Sequence, residues 1–140
     1  MKNVILTIVM FLFVFTAKAQ VVTYKAKEFY CFSVPANLNP FVEFIENREI
    51  EDEGHRGEVD YIFDDSAKTV TVKSYSYNTT TNYKMINKDT SDKKVTRYTV
   101  RDGYFQFYFL VSKQNEDVVN LYCFWPDGLV NKGWQSVIKP

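Results

Sequence analysis

The single histidine, His55, lies in the run EDEGHRGEVD (51–60), among Asp52, Glu53, Glu58 and Asp60. Imidazole beside carboxylates can move protons or hold a cation. Acyl transfer would need a nucleophile next to the ring, and this run contains neither Ser nor Cys. Zinc sites draw on several His or Cys at recurring spacing, and EF-hand calcium loops carry acids at fixed alternate positions. Neither pattern occurs here, so the run reads as a solvated acidic turn, with no metal and no cofactor expected. Carboxylate-dependent hydrolysis is the least favoured reading, because the separation of two acids in space is not written in their spacing. Phosphate-binding glycine loops and Cys-x-x-Cys are absent. An enzyme is therefore not the expectation.

Two cysteines remain for chemistry of another kind, Cys31 near the start and Cys123 near the end. An exported chain with an even count predicts a disulfide between them. Loop closure over that span would stabilise the fold by roughly 4–5 kcal/mol.

The third group is a face rather than a cluster. GYFQFYFLV (103–111) alternates as a strand does, yet both of its sides are bulky. Phe105, Phe107, Phe109 and Val111 mark one side as core. With the neighbouring strands, the other side collects Arg97, Gln106, Tyr108, Asn120, Tyr122 and Phe124. Tyrosine rings with polar tips, a planar guanidinium and two amides can grip a protein partner or a small amphiphilic ligand by stacking and hydrogen bonding. A homodimer through the same face is the alternative, and a helix lying across it would make it part of the core. SYSYNTTTNY (74–83) adds Tyr75, Tyr77 and Tyr83 around a Thr-rich turn, which suits sugar stacking but also an ordinary hairpin.

The elements that must position these groups are mostly strands. Of the 140 residues, 1–19 read as a secretory signal peptide: Lys2, the apolar run VILTIVMFLFVF, then AKA before Gln20. That run is shorter than the roughly 20 residues a membrane span needs, and no later segment qualifies. The chain is thus expected to be exported, to the periplasm or the extracellular medium, as one β-rich domain over 20–140. Without Lys2 and Lys18, 15 basic residues face 17 acidic ones, a charge of about −2 that argues against nucleic acid as partner. The charge is uneven: residues 43–65 hold ten acids, and residues 68–101 hold eight bases.

VVTYKAKEFYCFSV reads as a long first strand stopped by Pro35. Asn39, Pro40 and the stripe Phe41, Val42, Phe44, Ile45 predict a short helix over 40–50. Seven further strand patterns follow at intervals of about ten residues, separated by DDSAK, NTTT, DTSD, RDG, SKQNED and PDGLVNKG. Asp102-Gly103 as a hairpin turn would set Val100 opposite Phe105, and a symmetric KQNED loop would set Phe105 opposite Trp125. The expected fold is mainly β: an antiparallel up-and-down meander of about eight strands, barrel-like or strongly curved. It resembles the lipocalin and fatty-acid-binding barrels in fold alone. The Gly-x-Trp of the first lipocalin strand is missing, and KGWQ (132–135) lies near the other terminus.

Overall fold

The computed structural model describes residues 20–37, 46–113 and 118–139. The expected signal segment, 1–19, and most of the expected helix, 40–45, lie outside these residues. Nine strands follow one another: β1 (Val21–Pro35), β2 (Glu49–Ile50), β3 (His55–Asp64), β4 (Thr69–Ser74), β5 (Thr79–Asp89), β6 (Val95–Asp102), β7 (Phe105–Lys113), β8 (Val119–Asp127) and β9 (Val130–Ile138). From β3 to β9 each strand pairs antiparallel with the next. β1 pairs with β3 on one side and with β9 on the other, so eight strands close into a barrel.

β1 is long because it serves two neighbours at different heights. Val21 to Phe29 pair with β3, and Phe29 to Pro35 pair with β9. Such stagger is what closing a tilted sheet requires. Beyond Phe29, the side of β1 that β3 has left would expose unpaired N–H and C=O groups. β2 covers it, with Ile50 opposite Phe32 and Glu49 opposite Ser33. Of the expected helix only the end is among the described residues: Glu46 is helical, Asn47 turns, and Glu49–Ile50 is extended, because the free edge of β1 claims the end of the range.

The disulfide is corrected. Cys31 and Cys123 are both free, and both pair with Trp134 from opposite sides of β9. Two strand spacings of about 4.8 Å hold their backbones about 10 Å apart. A bridge needs Cα atoms within about 7 Å.

Register was readable to within two residues. DDSAK separates two strands as expected, and its turn sets Phe63 opposite Val70 and Tyr61 opposite Val72. Asp64 closes it by accepting the amides of Ser66 and Ala67 at 3.0 and 2.9 Å. The β6–β7 turn instead centres on Gly103-Tyr104, which brings Val100 opposite Phe107. Gly103 has φ +59, and a type II′ turn wants glycine first of its two central residues. β7 and β8 slip by the same amount, with Phe109 opposite Cys123. A slip of two leaves every side chain on its expected face.

Odd-numbered residues of β7 and β8 therefore point inward. Phe63, Val70, Val100, Phe109 and Leu121 are buried among Tyr61, Tyr98 and Met85. Phe63 and Phe109 meet edge to face at 5.8 Å, and Tyr61 reaches Ser136 Oγ at 3.3 Å, which satisfies its hydroxyl. Phe105 and Trp125 were expected to face each other in this core. Phe105 lies past its end, 73% exposed, and Trp125 is half-buried against Phe107 at 6.3 Å.

A second apolar cluster sits on the outside of the sheet: Phe32, Val34, Val95, Leu110, Tyr122 and Phe124. It reaches β1 through an irregularity between Ala26 and Glu28, after which the inward set on β1 changes from even to odd numbers. Gly133 lies between Phe32 and Phe124 on this face. A Cβ there would stand 2.0 Å from the Cys123 carbonyl oxygen, so the close approach of β8 requires glycine.

Phe109→Ala is expected to cost about 3–5 kcal/mol and Phe105→Ala less than about 0.5 kcal/mol, as measured by denaturant unfolding. Gly133→Ala should behave like the first, because backbone and not a movable side chain is in the way.

Candidate functional site

The six residues expected to form a binding face are all on one side of β6, β7 and β8. They do not form a free surface. Tyr122, Phe124 and Asn120 are closed off from solvent. Tyr122 packs edge to face with Phe32 at 5.8 Å and lies under the Arg48 guanidinium at 5.8 Å. Arg48 Nε donates to Gln135 Oε1 at 2.8 Å, and Gln135 Nε2 donates to Asn120 Oδ1 at 3.5 Å. Tyr108 stacks on Phe124 at 5.2 Å, and its hydroxyl accepts from Gln106 Nε2 at 2.5 Å. Arg97 pairs with Asp89 at 3.8 Å. What remains accessible is Gln106, the rim of Tyr108 and part of Arg97.

The interior offers more. Its middle is filled by aromatic rings, but each end holds a cavity, and the two differ in chemistry. The first, of about 740 Å³, opens where β1 and β6 start and β7 ends. Val22, Tyr24, Phe63, Tyr98, Val111 and Val119 make its floor. Lys88, Lys93, Lys94 and Lys113 stand around it, with Gln20 beside them. Among the described residues of its lining the one acid is Asp65, whose Oδ2 meets Lys88 Nζ at 2.6 Å. Asp65 Oδ1 is enclosed without a hydrogen-bond partner among the described residues. The hydrogen bond to Asp65 raises the Lys88 pKa, and that ammonium also lies 5.5 Å from the Tyr98 ring. Lys88 points inward because β5 shifts register between Met85 and Asn87, which sets it opposite the buried Tyr98.

The second cavity, of about 420 Å³, lies where β3 starts and β4 ends. Phe29, Tyr61, Val72, Tyr77 and Trp134 line it with His55. Of the tyrosines in the Thr-rich stretch, Tyr77 is at this mouth and Tyr75 is exposed, donating to Asp60 at 2.9 Å. Tyr83 faces the core, 5.3 Å from Phe107.

At the wall of this cavity the fold brings together Cys31, Asp52 and His55, a constellation the sequence did not announce. Their donor atoms lie within 4.8 Å of one another. Asp52 is the hub. Its Oδ1 accepts the amides of Cys31 and Gly54 at 3.1 and 3.2 Å, and its Oδ2 meets His55 Nε2 at 2.6 Å. The imidazole stacks on Phe29 at 5.3 Å with Trp134 at its edge. Burial, then the hydrogen bond to Asp52, push the Cys31 thiol up to about 12, while bonding to Cys31 holds the Asp52 carboxyl below its usual range. The carboxylate stands between thiol and imidazole, so the thiol keeps its proton. This is the reverse of an activated nucleophile.

No family model matches the chain, and neither the curated proteins nor the solved structures contain a significant match. The site must therefore be read from its own chemistry. Among the described residues no helix is long and apolar enough to cross a membrane.

Burial pushes Tyr61, Tyr83 and Cys123 up to about 12 from ordinary values of 10.0, 10.0 and 9.0. Tyr24 and Tyr98 are raised for the same first reason. At alkaline pH the folded chain thus binds more protons than the unfolded one. Stability is fully present below about pH 9 and falls as pH rises toward about 12. Urea midpoints across that range should fall as tyrosinate absorbance rises.

Proposed function

We propose that this is an exported, non-enzymatic binding protein that holds a small anionic amphiphile in the lysine-rimmed end of the barrel. The observation carrying this reading is the meeting of four ammonium groups with an apolar, aromatic floor in one cavity of about 740 Å³. Small-molecule sites typically occupy about 300–1,000 Å³. An acyl or aromatic body would cover Val22, Val111, Val119 and Phe63, and removing that surface from water would supply most of the affinity. A carboxylate or phosphate would meet Lys93, Lys94 and Lys113 at the rim. The enclosed Asp65 Oδ1 favours a hydroxyl on the same headgroup.

Export fits the same geometry. Processing before Gln20 would leave a new α-ammonium at the mouth of this cavity, adding one more positive charge. The non-enzymatic part of the reading rests on the proton-holding Cys31 and on Asp60, whose carboxylate is already occupied by Tyr75. A second reading, a protein partner or a second copy docked beside Gln106 and Tyr108, is favoured by Tyr104, fully exposed, and by Phe105 next to it. Size-exclusion mass at micromolar concentration separates a second copy from the rest.

The test of the first reading is calorimetric titration with an alkyl carboxylate and with the alkyl ammonium of equal chain length. The carboxylate should bind, the ammonium should not, and Lys93→Glu with Lys94→Glu should weaken the carboxylate about tenfold, in line with rim charges worth under about 1 kcal/mol each. Equal binding of the two probes, or an unaffected double variant, would remove the proposal.

A further inference from the structure

Away from the lysine-rimmed cavity, the chain holds three donors of different softness around one point: Cys31 Sγ, an Asp52 carboxylate oxygen and His55 Nε2. We propose that these three side chains form a zinc(II) site with three protein ligands and an open fourth position. A thiolate, an imidazole and a carboxylate are each ordinary zinc ligands, and three of them with one position left open is the arrangement that admits water or an exogenous ligand. Calcium and magnesium are excluded by the sulfur and nitrogen donors, since both take oxygen.

The positions of the ligands support this more than their types do. They come from three places along the chain: the second half of β1, the turn after β2, and the first residue of β3. Nothing in a hydrophobic core demands that they meet. Tetrahedral bonds of about 2.0–2.3 Å put ligand atoms about 3.3–3.7 Å apart, so shifts of about 1 Å or less would seat the ion between them. Much of the surrounding shell is already built. The Cys31 and Gly54 amides hold one oxygen of Asp52, leaving the other to the cluster. Phe29 and Trp134 fix the plane of the imidazole from its face and its edge. Groups that orient ligands in this way are worth about 10–100-fold in metal affinity.

Binding balances simply. The zinc ion replaces the thiol proton of Cys31, which leaves to solvent, and takes the Nε2 lone pair of His55 in the tautomer that carries its proton on Nδ1. The open position would lie at the wall of the aromatic cavity, where His55 is part of the lining. A small donor group on an aromatic or apolar body is the class of ligand that this place would take.

The test uses the full chain with cobalt(II) as a spectroscopic stand-in for zinc. Expected is a thiolate-to-cobalt charge-transfer band that appears on titration and is displaced by zinc. Cys31→Ser should abolish the band, His55→Ala should weaken binding at least tenfold, and Cys123→Ser should leave the band intact. If a variant fails to fold, the wild-type chain answers alone: zinc should protect Cys31, and not Cys123, from alkylation mapped by mass spectrometry. A band that survives Cys31→Ser, or labelling of Cys31 that zinc does not change, would overturn the assignment. Neither result bears on the alkyl carboxylate titration, because the two cavities share no lining residue among the described residues.

Discussion

Pairing of β1 with β9 is the constraint on which the rest of this structure depends. Seven residues of β1, Phe29 to Pro35, meet seven of β9, and without that ladder the sheet would end in two exposed edges. Because β1 must also pair with β3, the strand shifts from one neighbour to the other along its length. The irregularity between Ala26 and Glu28 lies where this handover occurs. It turns Phe32 and Val34 to the outside, where they build the second cluster, and Cys31 to the inside, where it meets Asp52. Closing the barrel thus also positions the thiol.

Two apolar clusters on opposite sides of one sheet answer the problem of a short chain with many large rings. Small domains bury a smaller share of their surface than large ones and are correspondingly marginal. Burying both sides of β7 and β8 raises that share. The amphiphilic side therefore acts mainly as structure: Leu110 and Tyr122 are fully enclosed, and Arg48 with Gln135 supplies hydrogen bonds that buried amides such as Asn120 require. The rings that fill the middle of the barrel exclude a through-channel and leave chemistry to its ends. Those ends differ in chemistry: Lys88, Lys93 and Lys94, from the basic stretch of the chain, stand at one mouth, and aromatic rings with His55 and Arg56 line the other.

How much of this was legible beforehand varies by element. The alternation of β7 and β8 and the even spacing of turns were enough for strand number, order and facing, since a period of two is a local property. The Gly103 turn misled by one residue and moved the register by two, because glycine's place within a turn depends on turn type. The helix over 40–50 was drawn from a sound local pattern whose end is claimed by an unpaired edge of β1. The cysteines were matched by count, whereas β9 separates them. His55 was set aside for want of neighbours in sequence, and its neighbour Cys31 lies on another strand.

The sequence by itself determined a β-rich domain of about eight antiparallel strands, which residues face the core, and a chain with opposite charge in its two middle segments. Only the tertiary structure decided that β1 closes on β9, that the outer aromatic face is enclosed, and that four lysines ring one mouth while Cys31, Asp52 and His55 converge at the other. The physical reason is range. Alternation and turn chemistry are set by residues a few positions apart, whereas closure, enclosure and convergence depend on which distant backbone edges find each other.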